Sequence, residues 1–158
     1  MTQDSMGLAF NSIYTKFKLH YYQKIFNRLE EQEASLTPLE TFCAEVICGL
    51  GMPTVTTFAK YLSLSQANAA KKVHNLVKKG YVRKVQSESD QRIFHLSVTE
   101  KYHQYRELYS SFAGEVAKRI HSNFSKEDLQ NFERMIKIID EELMSEANIM
   151  NENTMIGG

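Results

Sequence analysis

The sequence contains few residues that cross-link, break or anchor a chain. Among its 158 residues are two cysteines, two prolines and no tryptophan, and 19 basic residues balance 19 acidic ones. Cys43 and Cys48 fall in a predicted helix, where their spacing turns them about 140° apart and prevents them from pairing. No Cys-x-x-Cys or Cys/His zinc spacing is present. The two thiols are therefore predicted to be buried structural groups rather than a redox sensor.

Long hydrophobic runs are also absent, since a membrane span needs about 20 apolar residues and the runs here are only a few residues long. Residues 1–11 lack the pattern of a signal peptide, so we expect a cytoplasmic protein. The sequence has no glycine-rich phosphate loop, no nucleophile elbow and no evident pair of catalytic carboxylates, and its five histidines form no constellation. We expect a single domain, residues 1–158, that is not an enzyme and uses no cofactor.

Apolar residues recur at helical spacing toward both ends of the chain. Residues 8–32 carry one such ladder, and residues 98–124 and 126–143 carry two more. Ser125, three residues before Asp128, is predicted to cap the last of these helices. The ladder positions are Ile13, Phe17, Tyr21, Ile25 and Leu29; Tyr102, Tyr105, Tyr109, Phe112, Val116, Ile120 and Phe124; and Leu129, Phe132, Ile136, Ile139 and Leu143. The first and last stripes are broader than one packing face requires. These long helices are therefore predicted to pack against a second subunit.

A helix-start signature stands between the first and second ladders. Thr37 can cap a helix, Pro38 suits its first position, and Glu40 stands three residues after the cap. Residues 54–56 are then predicted to be extended, and a small helix is predicted over residues 57–62.

The most basic part of the chain is residues 54–99, called the basic segment below. It holds eight cations against two anions, a net charge of +6 that leaves −6 for the rest of the neutral chain. Ser65 is predicted to cap a helix that ends at Gly80, and β-type runs follow over residues 81–86 and 93–98 with a long polar tip. Charge gathered in this way predicts contact with a polyanion, for which DNA is the best fit.

Projection of the helix after Ser65 at 100° per residue separates an inward from an outward face. The residues predicted to face inward are Ala69, Val73, Leu76 and Val77. The candidate DNA contacts on this helix and the next strand are Ser65, Gln66, Ala67, Asn68, Lys71, Lys72, Asn75, Lys78 and Lys84. Amides and lysines near the helix start suit base edges, whereas the later lysines, with Lys79 among them, suit phosphates. A solvated lysine-rich helix face is the alternative interpretation.

The polar tip of the hairpin offers a second candidate contact. Arg92 could enter a narrow minor groove, where negative potential is focused. Asp90 would lie on the same strand face and hold the Arg92 side chain through a charge-assisted bond. The alternative is an exposed ion pair worth only about 0–1 kcal/mol.

In this order the residues resemble the MarR family (multiple antibiotic resistance regulators) of dimeric winged-helix transcription factors. The resemblance rests on LSQANAAKKVHNLVKKGYVRKVQSESDQRIFHLSVTEK, on the Asp-x-Arg tip within it and on LTPLE at residues 36–40. It implies a mainly α fold with a small β-hairpin wing, a winged helix-turn-helix. The implied lobes are a DNA-binding lobe at 54–99 and a dimerisation lobe at 8–33 and 100–147. Residues 148–158, where the sequence shows no helical periodicity, are predicted to be a flexible tail.

The resemblance also implies a function. A homodimeric repressor would place the helix from Ser65 in the major groove, and Arg92 in the minor groove, of a pseudo-palindromic double-stranded operator. A small-molecule effector would bind in the cleft between the lobes. The aromatic candidates for that cleft are Phe17, Tyr21, Phe42 and Tyr102.

Two other functions stay open. A winged-helix protein-interaction module would dock its basic face on an acidic protein surface and never touch DNA. A metal-responsive regulator would draw its ligands from His20, Glu40, His103 and Glu107. Against the second, Tyr109 and Ala113 occupy the positions that match the histidine pair on the fifth helix of zinc-sensing members, so no metal ligand is assigned.

Overall fold

The computed structural model describes residues 3–29 and 35–147. The helices are α1 (Gln3–Leu29), α2 (Pro38–Gly49), α3 (Val55–Tyr61), α4 (Gln66–Lys78), α5 (Glu100–Asn123) and α6 (Lys126–Ile138), and the strands are β1 (Val82–Gln86) and β2 (Phe94–Val98). A π-helical turn (Ile139–Leu143) and a 3-10 turn (Ser145–Ala147) follow α6. The predicted mainly helical fold with a two-stranded wing is confirmed. Within these residues no helix combines the length and the apolar character that a membrane crossing needs.

Residues 1–109 form one compact unit, whose core is supplied mainly by α2, α3, α4 and the hairpin. Its large and fully buried side chains include Leu36, Ile47, Leu50, Phe58, Val73, Leu76, Leu96 and Tyr102. Burial of each such aliphatic or aromatic side chain stabilises the fold by about 1.5–3 kcal/mol relative to exposure. Cys43 is buried in this core, as predicted, whereas Cys48 is only half-buried; both are free thiols.

The start of α2 is fixed by a capping box, as the sequence predicted. Glu40 donates its backbone N–H to Thr37 Oγ1 at 3.2 Å, and Thr37 donates its own N–H to Glu40 Oε2 at 2.9 Å. Pro38 stands in the first turn, where a missing N–H costs nothing. The predicted end of the first helix, residues 30–32, lies outside the described residues.

The short helix α3 begins two residues earlier than predicted, so the extended piece at residues 54–56 is wrong. Only Thr54 is extended, where it forms an isolated bridge with His95. Its Oγ1 then accepts the N–H of Thr57 at 3.1 Å and caps the helix. A threonine is compatible with an extended segment or with a helix cap, so the sequence does not settle where α3 begins. The bridge between Thr54 and His95 sets that boundary at Thr54. Ser63, at φ 52°, turns the chain toward α4.

The two strands pair antiparallel, from Val82 opposite Val98 to Gln86 opposite Phe94. The tip between them is long, as predicted: Ser87 donates its N–H to the Ile93 carbonyl at 2.8 Å, and Ile93 donates to the Asp90 carbonyl at 3.0 Å. Buried Leu96 fixes β2 to the core, since its N–H also bonds the carbonyl of Pro53 at 2.7 Å. The tip therefore projects from an anchored base.

Residues 110–158 form the second unit, described here by its helical part. Ser125 caps α6 by accepting the Asp128 N–H at 3.2 Å, as predicted. The apolar face of α6 and the end of α5 line an open groove of about 520 Å³. The apolar lining residues are Ile120, Phe124, Leu129, Phe132 and Met135. No residue of α6 is buried within a single chain. The predicted tail at 148–158 lies outside the described residues.

Candidate nucleic-acid interface

Helix α4 is held in the basic segment by one apolar face. Ala69, Val73 and Leu76 are completely buried, as the projection predicted. The prediction for Val77 is wrong, because its side chain is 36% exposed. It stands 100° from Leu76, at the edge of the buried stripe. Three buried positions are enough to fix which face of α4 points to solvent.

The outward face of α4 carries most of the predicted DNA contacts. Ala67, Asn68, Lys71, Asn75 and Lys78 are exposed on it, and Lys72 at its border is half-buried. Lys84, on β1, is exposed as well. Amide and ammonium groups in the first two turns of a recognition helix are those that reach base edges in the major groove.

The first turn of α4 is organised by two of the predicted contact residues. Ser65 Oγ accepts the N–H of Asn68 at 3.2 Å and thus caps the helix. Gln66 donates from Nε2 to Thr56 Oγ1 of α3 at 2.9 Å. Such a bond to α3 was not predicted, because nothing in the spacing of these residues marks it. Both residues are exposed, so they can meet a ligand while they orient the first turn.

At the wing tip Arg92 and Asp90 are both exposed, but the bond between them differs from the prediction. Asp90 Oδ1 accepts the backbone N–H of Arg92 at 2.9 Å, not its guanidinium. Asp90 in turn donates its N–H to Ser87 Oγ at 3.4 Å. A carboxylate that bonds an amide two residues on forms an Asx turn. Asp90 therefore shapes the backbone of the tip and leaves the Arg92 side chain in solvent.

Lys79, predicted as a phosphate contact, makes different bonds in the structure. Its Nζ donates to Glu40 Oε2 at 2.7 Å and to the Ser35 carbonyl at 2.9 Å. The side chains of the pair are only 25% and 17% exposed. The partners lie 39 residues apart in sequence, so helical periodicity carried no signal for this contact.

The four aromatic candidates for an effector site lie in different environments. Tyr102 is 1% exposed and belongs to the core, where burial raises the pKa of its hydroxyl well above its usual range. Phe17 and Tyr21 on α1 are half-buried, and Tyr21 donates to Glu45 Oε1 at 3.2 Å. Phe42 on α2 is 47% exposed. In the described parts of the chain, no three His, Cys, Asp or Glu side chains are grouped to hold a metal ion.

Comparisons with known proteins bear on this arrangement. The sequence model of the MarR family matches residues 48–94, from the end of α2 to the start of β2. A sequence comparison with the curated proteins gives no match. Several solved structures share the fold. Among them are Streptococcus pneumoniae FabT in complex with DNA (20% identity, TM-score 0.61, 90% of this chain and 97% of that one), the transcriptional regulator Tm0710 from Thermotoga maritima (16%, 0.69, 90% and 99%) and a MarR family protein from Bacillus stearothermophilus (16%, 0.59, 91% and 99%).

At these identities the solved structures establish the fold, and the similarity in sequence to the MarR family covers residues 48–94. That segment contains all of α3, α4 and β1, and therefore the exposed face described above. The chain therefore has a winged-helix fold over about 90% of its length and is similar in sequence to the MarR family over residues 48–94.

Proposed function

We propose that this protein is a dimeric, sequence-specific DNA-binding transcription regulator. Helix α4 enters the major groove and Arg92 of the wing enters the adjacent minor groove. The observation that carries the proposal is the division of α4: Ala69, Val73 and Leu76 are fully buried, while the opposite face presents amides and lysines to solvent. The fold shared with FabT, whose structure is a complex with DNA, supports the same assignment.

Each group on the exposed surface suits a particular part of the duplex. Asn68 can pair with adenine, Lys71 can donate to guanine acceptors, and Ala67 can touch a thymine methyl. Lys78 and Lys84 suit phosphates, which set position without specifying sequence. Arg92 suits a narrow minor groove, because its side chain is exposed and Asp90 bonds the backbone N–H instead of the guanidinium. The exposed surface therefore carries groups that would read bases and groups that would position the protein on the DNA backbone.

The proposed function requires a dimer, because the DNA-binding lobe of one chain (one head) would contact only one half-site of a pseudo-palindromic operator. The amphipathic helix α6 buries none of its residues in one chain. A second copy is the partner that would cover its apolar face, with two recognition helices about one DNA turn, ~34 Å, apart. Repression and a small-molecule effector, for which Phe17, Tyr21 and Phe42 remain candidates, stay predictions of the family resemblance.

Selection of bound duplexes from a random pool tests the proposal directly. We expect a pseudo-palindrome whose half-sites are centred about 10 base pairs, one helical turn, apart. Lys71→Ala and Arg92→Ala should each weaken binding of the selected operator about tenfold, and wild-type affinity should fall steeply with salt. Lys118→Ala, which removes an exposed lysine outside the basic segment, is the matched control and should bind as wild type.

The outcome that refutes the proposal is equally clear. If the wild type enriches no sequence and binds random duplexes no better than Lys71→Ala at low salt, the exposed face does not read DNA. The protein-interaction module would then be the better account of the basic segment, because its charge would still need an acidic partner.

A further inference from the structure

The N-terminal end of α4, which carries the proposed base contacts, is called its reading end. The opposite, C-terminal end is hydrogen-bonded to two other parts of the chain. On one side Lys79 Nζ bonds Glu40 Oε2 and the Ser35 carbonyl, at 2.7 and 2.9 Å. We call these two bonds the Lys79 clamp. Glu40 belongs to the first turn of α2, and its Oε2 also accepts the Thr37 N–H at 2.9 Å. The clamp therefore joins α4 to a rigid capping box rather than to a loose side chain.

On the other side the start of α5 holds the same turn. Lys101 Nζ donates to the Lys79 carbonyl at 2.7 Å and lies 4.5 Å from the centre of the Tyr81 ring. Thr99 Oγ1 donates to the Gly80 carbonyl at 2.7 Å. The first bond satisfies the carbonyl of the C-cap residue Lys79, which the helix leaves without an intrahelical partner, and the second holds the turn that follows. The last turn of α4 is thus held between the first turns of α2 and α5.

A third contact closes the arrangement at the base. Thr41, the buried polar residue of α2, shares a 2.8 Å hydrogen bond with the hydroxyl of Tyr105 on α5. The Tyr105 ring in turn packs edge-on against Tyr81, with ring centres 5.5 Å apart. The three helix ends therefore form one connected frame.

We propose that Lys79 is a positioning residue that sets the angle of α4 on DNA through Glu40, and not a phosphate ligand. The inference rests on the proposed DNA-binding function. With a rise of 1.5 Å per residue, a helix the length of α4 spans about 20 Å, so a tilt of about 10° at Lys79 displaces the reading end by about 3.5 Å. Base readout requires positions held within about 0.5 Å.

Charge and burial favour this role over phosphate binding. If Lys79 left the clamp to reach DNA, the Glu40 carboxylate, 17% exposed, would lose its cation and repel the approaching duplex. Adjacent Lys78 is exposed and needs no such exchange. The two neighbouring lysines therefore have different roles: Lys78 binds the DNA backbone, and Lys79 holds the helix in position.

Operator and random duplex affinities over a range of salt distinguish the two roles in full-length protein. Lys79→Met and Glu40→Gln should each weaken operator binding about tenfold, leave random-duplex affinity unchanged, and keep the wild-type salt slope. The double variant should be no weaker than either single one, because both break the same bond. Lys78→Met, the matched control, should weaken operator and random duplex alike and reduce the salt slope by about one.

The inference is overturned if Lys79→Met behaves like Lys78→Met, or if Glu40→Gln strengthens binding by freeing the lysine. A wild type that discriminates no sequence would instead refute the proposed function. Whether the Lys79 clamp holds the end of α4 is then tested in the absence of DNA. Amide hydrogen exchange in residues 75–80 should accelerate in Lys79→Met and Glu40→Gln but not in Lys78→Met, and unchanged exchange in the first two would refute it.

Discussion

The cations of the basic segment have different structural roles, although each contributes one charge to its net charge. Lys79 is bonded to Glu40 and Ser35, whereas Lys71 on α4, Lys78 at the end of α4 and Arg92 on the wing are exposed. A phosphate contact requires a cation that can exchange water and counterions for DNA. The segment's charge of +6 therefore overstates the number of phosphates one head can neutralise.

The Glu40 carboxyl makes a pH-dependent contribution to stability. Partial burial alone would raise its pKa, but the bonds from Lys79 and Thr37 outweigh burial and lower the pKa below 4.5. A carboxyl whose pKa falls on folding stabilises the folded state above its unfolded pKa, and that contribution is lost as pH falls through the folded value. Glu40→Gln should therefore lower the free energy of unfolding by about 1 kcal/mol at pH 7.

Urea unfolding at pH 7 and at pH 3, at one protein concentration, measures this effect. The difference between wild type and Glu40→Gln should shrink at pH 3, because the contribution of a carboxylate whose pKa falls on folding decreases as pH falls below its unfolded pKa. Glu133→Gln is the control: its pair with Lys137 has side chains 69% and 65% exposed, so the substitution should change stability by less than about 0.5 kcal/mol. A Glu40→Gln difference of equal size at both pH values would contradict the assignment.

At the level of elements, a helix can be predicted from sequence where its ends are coded locally. The capping box of α2 and the Ser65 and Ser125 caps need only residues three apart, and all three were predicted. Boundaries set by tertiary contacts could not be predicted. The bridge of Thr54 to His95 fixes the start of α3. Because the two residues are far apart in sequence, no helical or strand periodicity indicates that they pair. The Lys79 clamp escaped prediction for the same reason.

Glycine substitutions separate a helix end from a helix interior. Gly80 follows α4 at φ +80°, and an added Cβ would lie 3.8 Å from Lys101 Cδ, an ordinary contact. Gly80→Ala should therefore destabilise the protein by about 1–2 kcal/mol through backbone strain alone. Gly114 lies within α5 with nothing near an added Cβ, so Gly114→Ala should stabilise by about 0.5–1 kcal/mol.

Thermal unfolding of the two alanine variants measures both signs in one experiment. The pair controls for the side chain itself, since each variant adds one methyl group. If Gly80→Ala were as stable as wild type, the left-handed residue would not be required to end α4, and the account of this turn would be wrong.

For the whole molecule, the main feature is that α1 and α6 both expose large apolar side chains that a partner would cover. Large apolar side chains of α1 stay exposed, among them Ile13, Tyr14 and Phe26, and Phe132 and Leu143 do so near the C-terminal end of the described chain. Scattered apolar exposure is normal, but the aligned apolar face of α6 marks an interface, whereas the exposed apolar side chains of α1 lie on more than one side of that helix. The broad stripes seen in the sequence predicted this need for a partner, although sequence alone cannot give the geometry of the pairing.

A charge placed in the α6 face tests whether the partner is a second copy. Phe132, 46% exposed, lines the groove between α5 and α6, and burying an aspartate there without a partner charge costs several kcal/mol. Phe132→Asp should therefore shift the sedimentation mass from two chains to one and weaken operator binding at least about a hundredfold, because the two heads are no longer linked. Gln130→Asp adds the same charge to the opposite face of α6 and should remain dimeric.

These outcomes also separate assembly from folding. Phe132→Asp removes a side chain that is not buried within one chain, so its far-ultraviolet circular dichroism should match that of wild type. A folded, monomeric Phe132→Asp protein that still binds the operator as tightly as wild type would show that one head suffices. A variant that remains dimeric would place the dimer contact elsewhere, with the exposed face of α1 as the next surface to test.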